Sequence, residues 1–248
     1  MSIEKRRCLE SVDVVILAGG LGTRVSGVLG DTPKVLAPIS GRPYLEYLFD
    51  FLLFFGARRI ILLLGHLASA VDAYLANREA DALAVEMVVE VEPKGTAGAL
   101  RDVTGSLRSD PVMVLNGDSF INTDFCDFVS SHSDSGAEGS ILCVVVDEVE
   151  RYGQVKIRSD GRIKEFSEKN PSAEGKGVIN AGVYLMSRAL LDQIKGMPGS
   201  SLEKDIFATL PVGTLYGHVV SAPFIDIGTP STLARAQEVP AGVFCGKF

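Results

Sequence analysis

The sequence predicts a three-layer α/β/α fold around a mostly parallel sheet, on three observations. Short β-branched runs alternate with longer amphipathic stretches as far as Val146. Three glycines, Gly19, Gly20 and Gly22, follow the first run directly. The chain has 248 residues, 46% of them hydrophobic, which is enough apolar side chain for a large core.

The elements follow in order. Val12 to Leu17 is a run suited to a strand buried on both faces, so a strand is expected over 13–17. Helices are expected over 43–56, 67–77, 96–103 and 124–134, and strands over 59–64, 84–90, 111–116 and 140–146. Beyond Val146 the pattern turns to short strands, and VKIRSDGRIKEF reads as a hairpin about Asp160–Gly161. INAGVYL is a strand with Asn180 inside it, followed by helices near 188–195 and 201–209 and strands near 214–220 and 222–227. Pro and Gly are scattered singly and no repeat of solenoid spacing occurs, so a single domain, 1–248, is expected. Its parts would be about 11–146 and a small β-rich lobe over about 147–240.

A net charge of −7 argues against the broad basic face that nucleic-acid binding needs. Cys8, Cys126, Cys143 and Cys245 show no CxxC and no paired spacing, which argues against a zinc site or a disulfide framework and for a reducing cytoplasm. The opening MSIEKRRCLES lacks the apolar segment of a signal peptide, and the run Leu45 to Phe55 is too short to span a bilayer, so no membrane insertion is expected. The run reads first as a core helix, but Tyr44, Tyr47, Leu48, Phe51, Phe54 and Phe55 cover more than one helical stripe, so the alternative is that part of this helix faces a second copy in a homodimer.

The chemistry is concentrated in ILAGGLGTRVSGVLGDTPKVLAPIS. Glycines let backbone N–H groups approach a ligand, and a row of such donors makes an anion-binding concavity. Arg24 adds a planar fork for phosphate oxygens and Lys34 a compact, movable charge. The pattern is neither GxxxxGK[ST] nor GxGxxG opening a helix, so ordinary ATPases and dehydrogenases fit poorly. Asp118, after the expected strand 111–116, and Asp226, inside the apolar run FIDIG, are candidate metal ligands. Mg²⁺ prefers one or two carboxylates together with substrate phosphates.

LAGGLGTR with TPKVLAPISGRP resembles the signature of the sugar-1-phosphate nucleotidylyltransferases, and EPKGTAGAL, LNGDSF, YGQV, FSEKN, INAGVYL and FIDIGTP resemble that family's later blocks in order. The resemblance covers nearly the whole chain. It implies a Rossmann-like nucleotidyltransferase fold, an enzyme using a nucleoside triphosphate and a sugar 1-phosphate, and Mg²⁺ held by Asp118 and Asp226. It implies nucleotide binding by Leu17, Ala18, Gly19, Gly20, Gly22, Thr23, Arg24, Lys34, Glu92, Gly95, Thr96, Asn116, Gly117 and Asp118. It implies sugar-phosphate binding by Gly153, Glu168, Lys169 and Asn180, and catalysis by Arg24, Lys34, Asp118 and Asp226. Lys94 departs from the family pattern, which more often has an apolar residue there, commonly leucine.

GLGTRV, PYLEYLFDFL, GARRIILLLGHLA and FIDIGTP are most similar to the D-glycero-D-manno-heptose 1-phosphate guanylyltransferases, which implies GTP, a GDP-heptose product and a role in capsule or lipopolysaccharide synthesis. Uridylyl, thymidylyl or cytidylyl transfer to a hexose or amino-sugar 1-phosphate is the alternative within the class. A non-catalytic nucleotide-sugar-binding regulatory subunit is the alternative outside it. His66, His132 and His218 lie outside all these blocks and are expected to be structural or exposed.

Overall fold

The structure, a computed structural model, describes residues 6–79, 82–149, 152–167, 175–239 and 241–244. The elements run β1 (Val14–Leu17), α1 (Ser26–Leu29), β2 (Pro38–Ile39), β3 (Arg42–Pro43), α2 (Tyr44–Phe54), β4 (Arg59–Leu64), α3 (Ala68–Ala76) and β5 (Ala84–Val89). They continue α4 (Gly95–Val103), β6 (Val112–Asn116), β7 (Ser119–Ile121), α5 (Phe125–Ser135) and β8 (Gly139–Val146). After these come β9 (Gln154–Ile157), β10 (Ile163–Ser167), β11 (Gly177–Met186), α6 (Arg188–Gly196), β12 (Leu215–Val220), β13 (Phe224–Asp226) and α7 (Pro230–Glu238).

One mixed, mostly parallel sheet of nine strands has the order β10-β9-β11-β6-β1-β4-β5, with β8 paired to β11 and β12 paired to β8. β1 is parallel to both β4 and β6. Its side chains divide by the two-residue strand period. Val14 and Ile16 enter a core with α2, α3, α5 and α7, while Val15 enters a second core with α4 and α6. Ile60, Leu62 and Leu64 of β4 join the first core, and Ile61 and Leu63 the second. Strands buried on both faces therefore read as continuous apolar runs, as the sequence suggested.

The expected elements up to residue 146 are present within a few residues of their expected ends, and so is the hairpin of β9 and β10, which turns at Gly161 with φ of 80°. Three features differ. β11 runs antiparallel between β6 and β8, so β8 does not extend the parallel series directly and the second half adds to the same sheet. The segment expected as a helix over 201–209 is a π turn at Leu202–Ile206 followed by a 3-10 turn at Phe207–Thr209. α7 is an additional helix, with Thr229 as its cap, Thr232 completing a capping box and Pro230 in the first turn.

Two expectations need correction or lose their basis. Cys8 and Cys126 are joined in a disulfide, although 118 residues separate them, because the N-terminal hook folds back onto the start of α5. Leu9 N donates to Phe55 O at 3.0 Å, and Arg6 pairs with Asp124 at the α5 cap. Cysteine usage therefore no longer argues for a reducing compartment. The aromatic face of α2 is covered from within the chain: Phe51 meets Phe120 and Phe125, and Tyr47 meets Phe244. Among the described residues, no helix is long and apolar enough to cross a membrane.

Candidate active site

The strand ends that carry the glycine turn and the LNGD block open onto two clefts that share Asn116 and Asp118. The smaller, of about 250 Å³, is framed by Leu17, Ala18, Gly19 and Gly20 on one side and by Gly95 and Thr96 at the start of α4 on another, with Lys34 and Gly117 completing it. The loops close in because Ala18 N donates to Leu63 O and Gly117 N to Leu17 O, both at 2.8 Å. Gly19 packs against Glu90: a Cβ there would lie 2.7 Å from Glu90 Oε2 and would push that carboxylate aside. Gly22 lines a small adjoining recess with Lys34. Thr23 and Glu92 are exposed and lie outside both clefts. Lys94 is turned onto Asp102 of α4 at 2.5 Å, away from the clefts.

Glu90, which the sequence reading passed over in favour of Glu92, lines the smaller cleft. Burial raises its carboxyl above the usual range, against a smaller opposing effect from the Lys94 backbone N–H. The two acids stand two positions apart in one charged stretch. Only the packing of Gly19 distinguishes them.

The larger cleft, of about 480 Å³, lies on the other side of Asp118. Asp226 reaches it through the two-stranded β7–β13 pairing, in which Asp226 stands opposite Ser119, next to Asp118 in sequence. Ile227 N donates to Asp118 O at 2.9 Å, which fixes the two strand ends together. Asp226 Oδ1 accepts from Gly228 N at 2.5 Å and Oδ2 from Tyr152 OH at 3.4 Å. Lys34 Nζ donates to Asp118 Oδ2 at 3.0 Å.

Gly228 marks where these groups converge. A Cβ on it would lie 2.7 Å from Asp226 Oδ1, 3.7 Å from Asp118 Oδ2 and 3.8 Å from an Arg24 nitrogen. The open space beside this glycine is bounded by two carboxylates and a guanidinium. Beneath them Tyr44 is fully buried, and its phenol is held well above its ordinary pKa by burial and then by the charges of Asp118 and Asp226. Among the described residues, no group of three or more His, Cys, Asp or Glu side chains could hold a metal. Two carboxylates facing one gap form the kind of donor set that Mg²⁺ shares with substrate phosphates.

Gly153 and Asn180 line the larger cleft. Glu168 and Lys169 lie outside the described residues. Asn180 sits at an irregularity of β11, where Gly182 takes φ of 76° and packs on Asn116. Ser201, Glu203 and Lys204 also line the cleft. They were absent from the sequence reading, because the signal for that π turn is weak. Thr96 Oγ1 accepts from Leu202 N at 2.8 Å, so the start of α4 and this turn are joined directly.

A family model described as Nucleotidyl transferase matches residues 13–239. The chain is 32% identical to D-glycero-alpha-D-manno-heptose 1-phosphate guanylyltransferase of Aneurinibacillus thermoaerophilus, over 92% of this chain and 97% of that one. It is 31% identical to mannose-1-phosphate guanylyltransferase of Mycobacterium tuberculosis, over 91% of this chain and 64% of that one. The crystal structure of HddC from Yersinia pseudotuberculosis, also solved in complex with GMP-PN, superposes with a TM-score of 0.80 at 36% identity, covering 92% of this chain and 98% of that one.

Proposed function

The chain belongs to the nucleotidyl transferase family, and from that premise we propose that it transfers GMP from GTP to D-glycero-α-D-manno-heptose 1-phosphate, releasing pyrophosphate and forming GDP-heptose. The observation that carries this reading is the convergence of Arg24, Asp118 and Asp226 about Gly228, between a glycine-lined cleft and a larger polar one. Similarity to the heptose enzyme along nearly the full length of both chains supports the choice of sugar. The GMP-PN complex of HddC supports the choice of base.

In this reading the triphosphate lies along Gly19, Gly20 and the start of α4, where backbone N–H groups at a helix N-terminus favour anions. Glu90 supplies an acceptor-only carboxylate, which complements the N1–H and N2–H donors of guanine. An oxygen of the sugar 1-phosphate is already anionic and needs no general base. It attacks the α-phosphorus, a new P–O bond forms, the α–β bridging bond breaks, and pyrophosphate leaves with the electron pair. Such transfer depends on positioning and charge relief. Arg24 and Lys34 supply fixed positive charge to the reacting phosphates, and Asp118 and Asp226 would hold Mg²⁺. When bound, Mg²⁺ would offset phosphate charge. The sugar moiety occupies the larger cleft beside Gly153 and Asn180, with Glu168 and Lys169 following from the family resemblance alone.

A cytoplasmic location and a product that serves surface polysaccharide synthesis follow from the family resemblance alone and complete this proposal. A homodimer draws no support from α2, whose aromatic face is covered within the chain. A second reading, mannose 1-phosphate as acceptor, is favoured by the mycobacterial relative and by a Drosophila melanogaster mannose-1-phosphate guanylyltransferase catalytic subunit beta, 35% identical over 87% of this chain and 59% of that one.

Pyrophosphate release with Mg²⁺ tests both readings, using GTP, ATP, CTP, UTP and dTTP against heptose and mannose 1-phosphates. GTP with the heptose far ahead is expected. GTP with mannose 1-phosphate ahead replaces the first reading with the second, and release with no pair rejects both.

A further inference from the structure

The larger cleft contains a charged group that the reaction described above does not use. Glu203 stands on the π turn at Leu202–Ile206, half-buried, with both carboxylate oxygens held from the protein side. Tyr184 OH donates to Oε1 at 2.9 Å and Ser201 Oγ to Oε2 at 3.1 Å.

The direction of the Tyr184 proton follows from the donor inventory around it. Gly182 N donates to Asn180 Oδ1 at 2.8 Å, which fixes the orientation of that amide. Asn180 Nδ2 must then donate to Tyr184 OH, at 2.9 Å, and Asn116 Nδ2 donates to the same oxygen at 3.5 Å. A phenol oxygen has one proton and two acceptor sites. With two amides donating to it, its proton is committed to Glu203. Tyr184 is fully buried, and burial, then the neighbouring Glu203 charge, keeps it protonated.

A carboxylate with one hydrogen bond on each oxygen keeps acceptor capacity on both. It repels phosphate, so its partner in the cleft is the neutral, hydroxyl-bearing part of the ligand. Charged acceptors form the stronger hydrogen bonds to such donors.

Resting on the functional reading above, we propose that Glu203 is a specificity-determining residue of the sugar 1-phosphate cleft, accepting hydrogen bonds from sugar hydroxyls, and that Tyr184 is the positioning residue that aims it. Sugars lacking the matching hydroxyl leave the remaining acceptor sites of the carboxylate unfilled and shielded from water, and are rejected on that ground.

Steady-state kinetics of wild type, Glu203→Gln, Glu203→Asp and Tyr184→Phe test this, with GTP and sugar 1-phosphate varied separately. In Glu203→Gln the KM for sugar 1-phosphate is expected to rise on the order of 10-fold or more, with the KM for GTP unchanged, since hydrogen bonds to charged groups are the stronger class. Tyr184→Phe shifts the same constant in the same direction by less. The double variant is no worse than Glu203→Gln, because the tyrosine acts through the carboxylate.

A set of monodeoxy sugar 1-phosphates on the wild type provides a readout that does not depend on any variant folding. One deoxy position should cost about 10-fold in kcat/KM, and where Glu203→Asp or Glu203→Gln folds, that penalty should shrink. An unchanged sugar KM in the folded Glu203 variants, equal rises in both KM values, or a wild type indifferent to every deoxy position overturns the proposal alone. A wild type that turns over no sugar 1-phosphate overturns the functional reading and this proposal with it.

Discussion

Lys34 and Asp118, 84 residues apart in sequence, form an ion pair with Nζ 3.0 Å from Oδ2 and side-chain exposures of 17% and 32%. The pair joins the loop that follows the cleft-lining glycines to the strand end that carries the first of the two carboxylates. In the proposed function a divalent cation at Asp118 would need oxygens of the same carboxylate, so ammonium and metal would compete there until a bound triphosphate took the lysine. On that reading Lys34 would be both a charge partner for phosphate and a placeholder for the metal.

Replacing Lys34 with methionine should therefore separate two quantities that usually move together. Turnover is expected to fall on the order of 10²-fold, the usual scale for loss of a preorganised charge partner. Mn²⁺ or Mg²⁺ binding to the nucleotide-free protein should tighten, because Asp118 loses its internal cation. Asp118→Asn and Asp226→Asn should lose turnover and metal binding alike. Titration calorimetry and pyrophosphate release on the same preparations read both quantities. Turnover near the wild-type rate in Lys34→Met would remove the lysine from the assignment.

Gly228→Ala probes the gap between the carboxylates. The added methyl would approach Asp226 Oδ1 to 2.7 Å, so the carboxylate has to move. The glycine has ordinary negative φ, and alanine meets no backbone strain there. A loss of roughly 10-fold or more in kcat, with a higher metal requirement and a melting temperature close to wild type, is expected. Unchanged kinetics would show that phosphates and metal meet elsewhere.

The sequence and the structure agree most closely where information is local. The glycine turn after β1 and the two-faced burial of Val14 to Leu17 are both readable from consecutive residues. The misses are long-range. No local signal tells β11 to slip antiparallel between β6 and β8, yet that slip creates the bend placing Asn180 and Gly182 against Asn116. Cys8 and Cys126 have no spacing pattern because the contact that joins them is tertiary. α7 had a readable signal in Thr229–Pro230, a cap followed by a proline in the first turn, which was missed. Glu203 lies in a π turn, for which residue preferences give little guidance.

Two histidines set the expected response of stability to acid. His132 shares a 2.8 Å hydrogen bond between Nδ1 and Ser140 Oγ, and burial lowers its pKa from 6.5 despite the opposing charge of Asp110. Burial lowers His218 likewise, against Asp127, and its ring packs on Phe128. With folded values below 6.5, the unfolded chain binds protons that the folded one refuses. Stability is therefore full above pH 6.5 and falls as pH drops through that value. Melting temperature should decline by a few degrees between pH 7.5 and 5.5, and the double variant His132→Gln, His218→Gln should flatten that decline. An equally steep decline in the double variant would assign it to other groups.

The Cys8–Cys126 bridge should matter for stability and hardly at all for catalysis. It closes a loop of more than a hundred residues and fastens the N-terminal hook to the first turn of α5, and neither cysteine lines either cleft. Loss of a native disulfide of this kind costs about 2–4 kcal/mol, which for a chain of this length lowers the melting temperature by roughly 5–15 °C. Reductant should produce that drop in the wild type, while Cys8→Ser should melt low with or without reductant. Pyrophosphate release at 25 °C should be the same in all cases, since β7 and β13 hold Asp118 and Asp226 together without the bridge. A wild type whose melting temperature ignores reductant, with no Cys8–Cys126 peptide in a non-reducing digest, would show that the hook is held by the Arg6–Asp124 pair and its backbone hydrogen bonds alone.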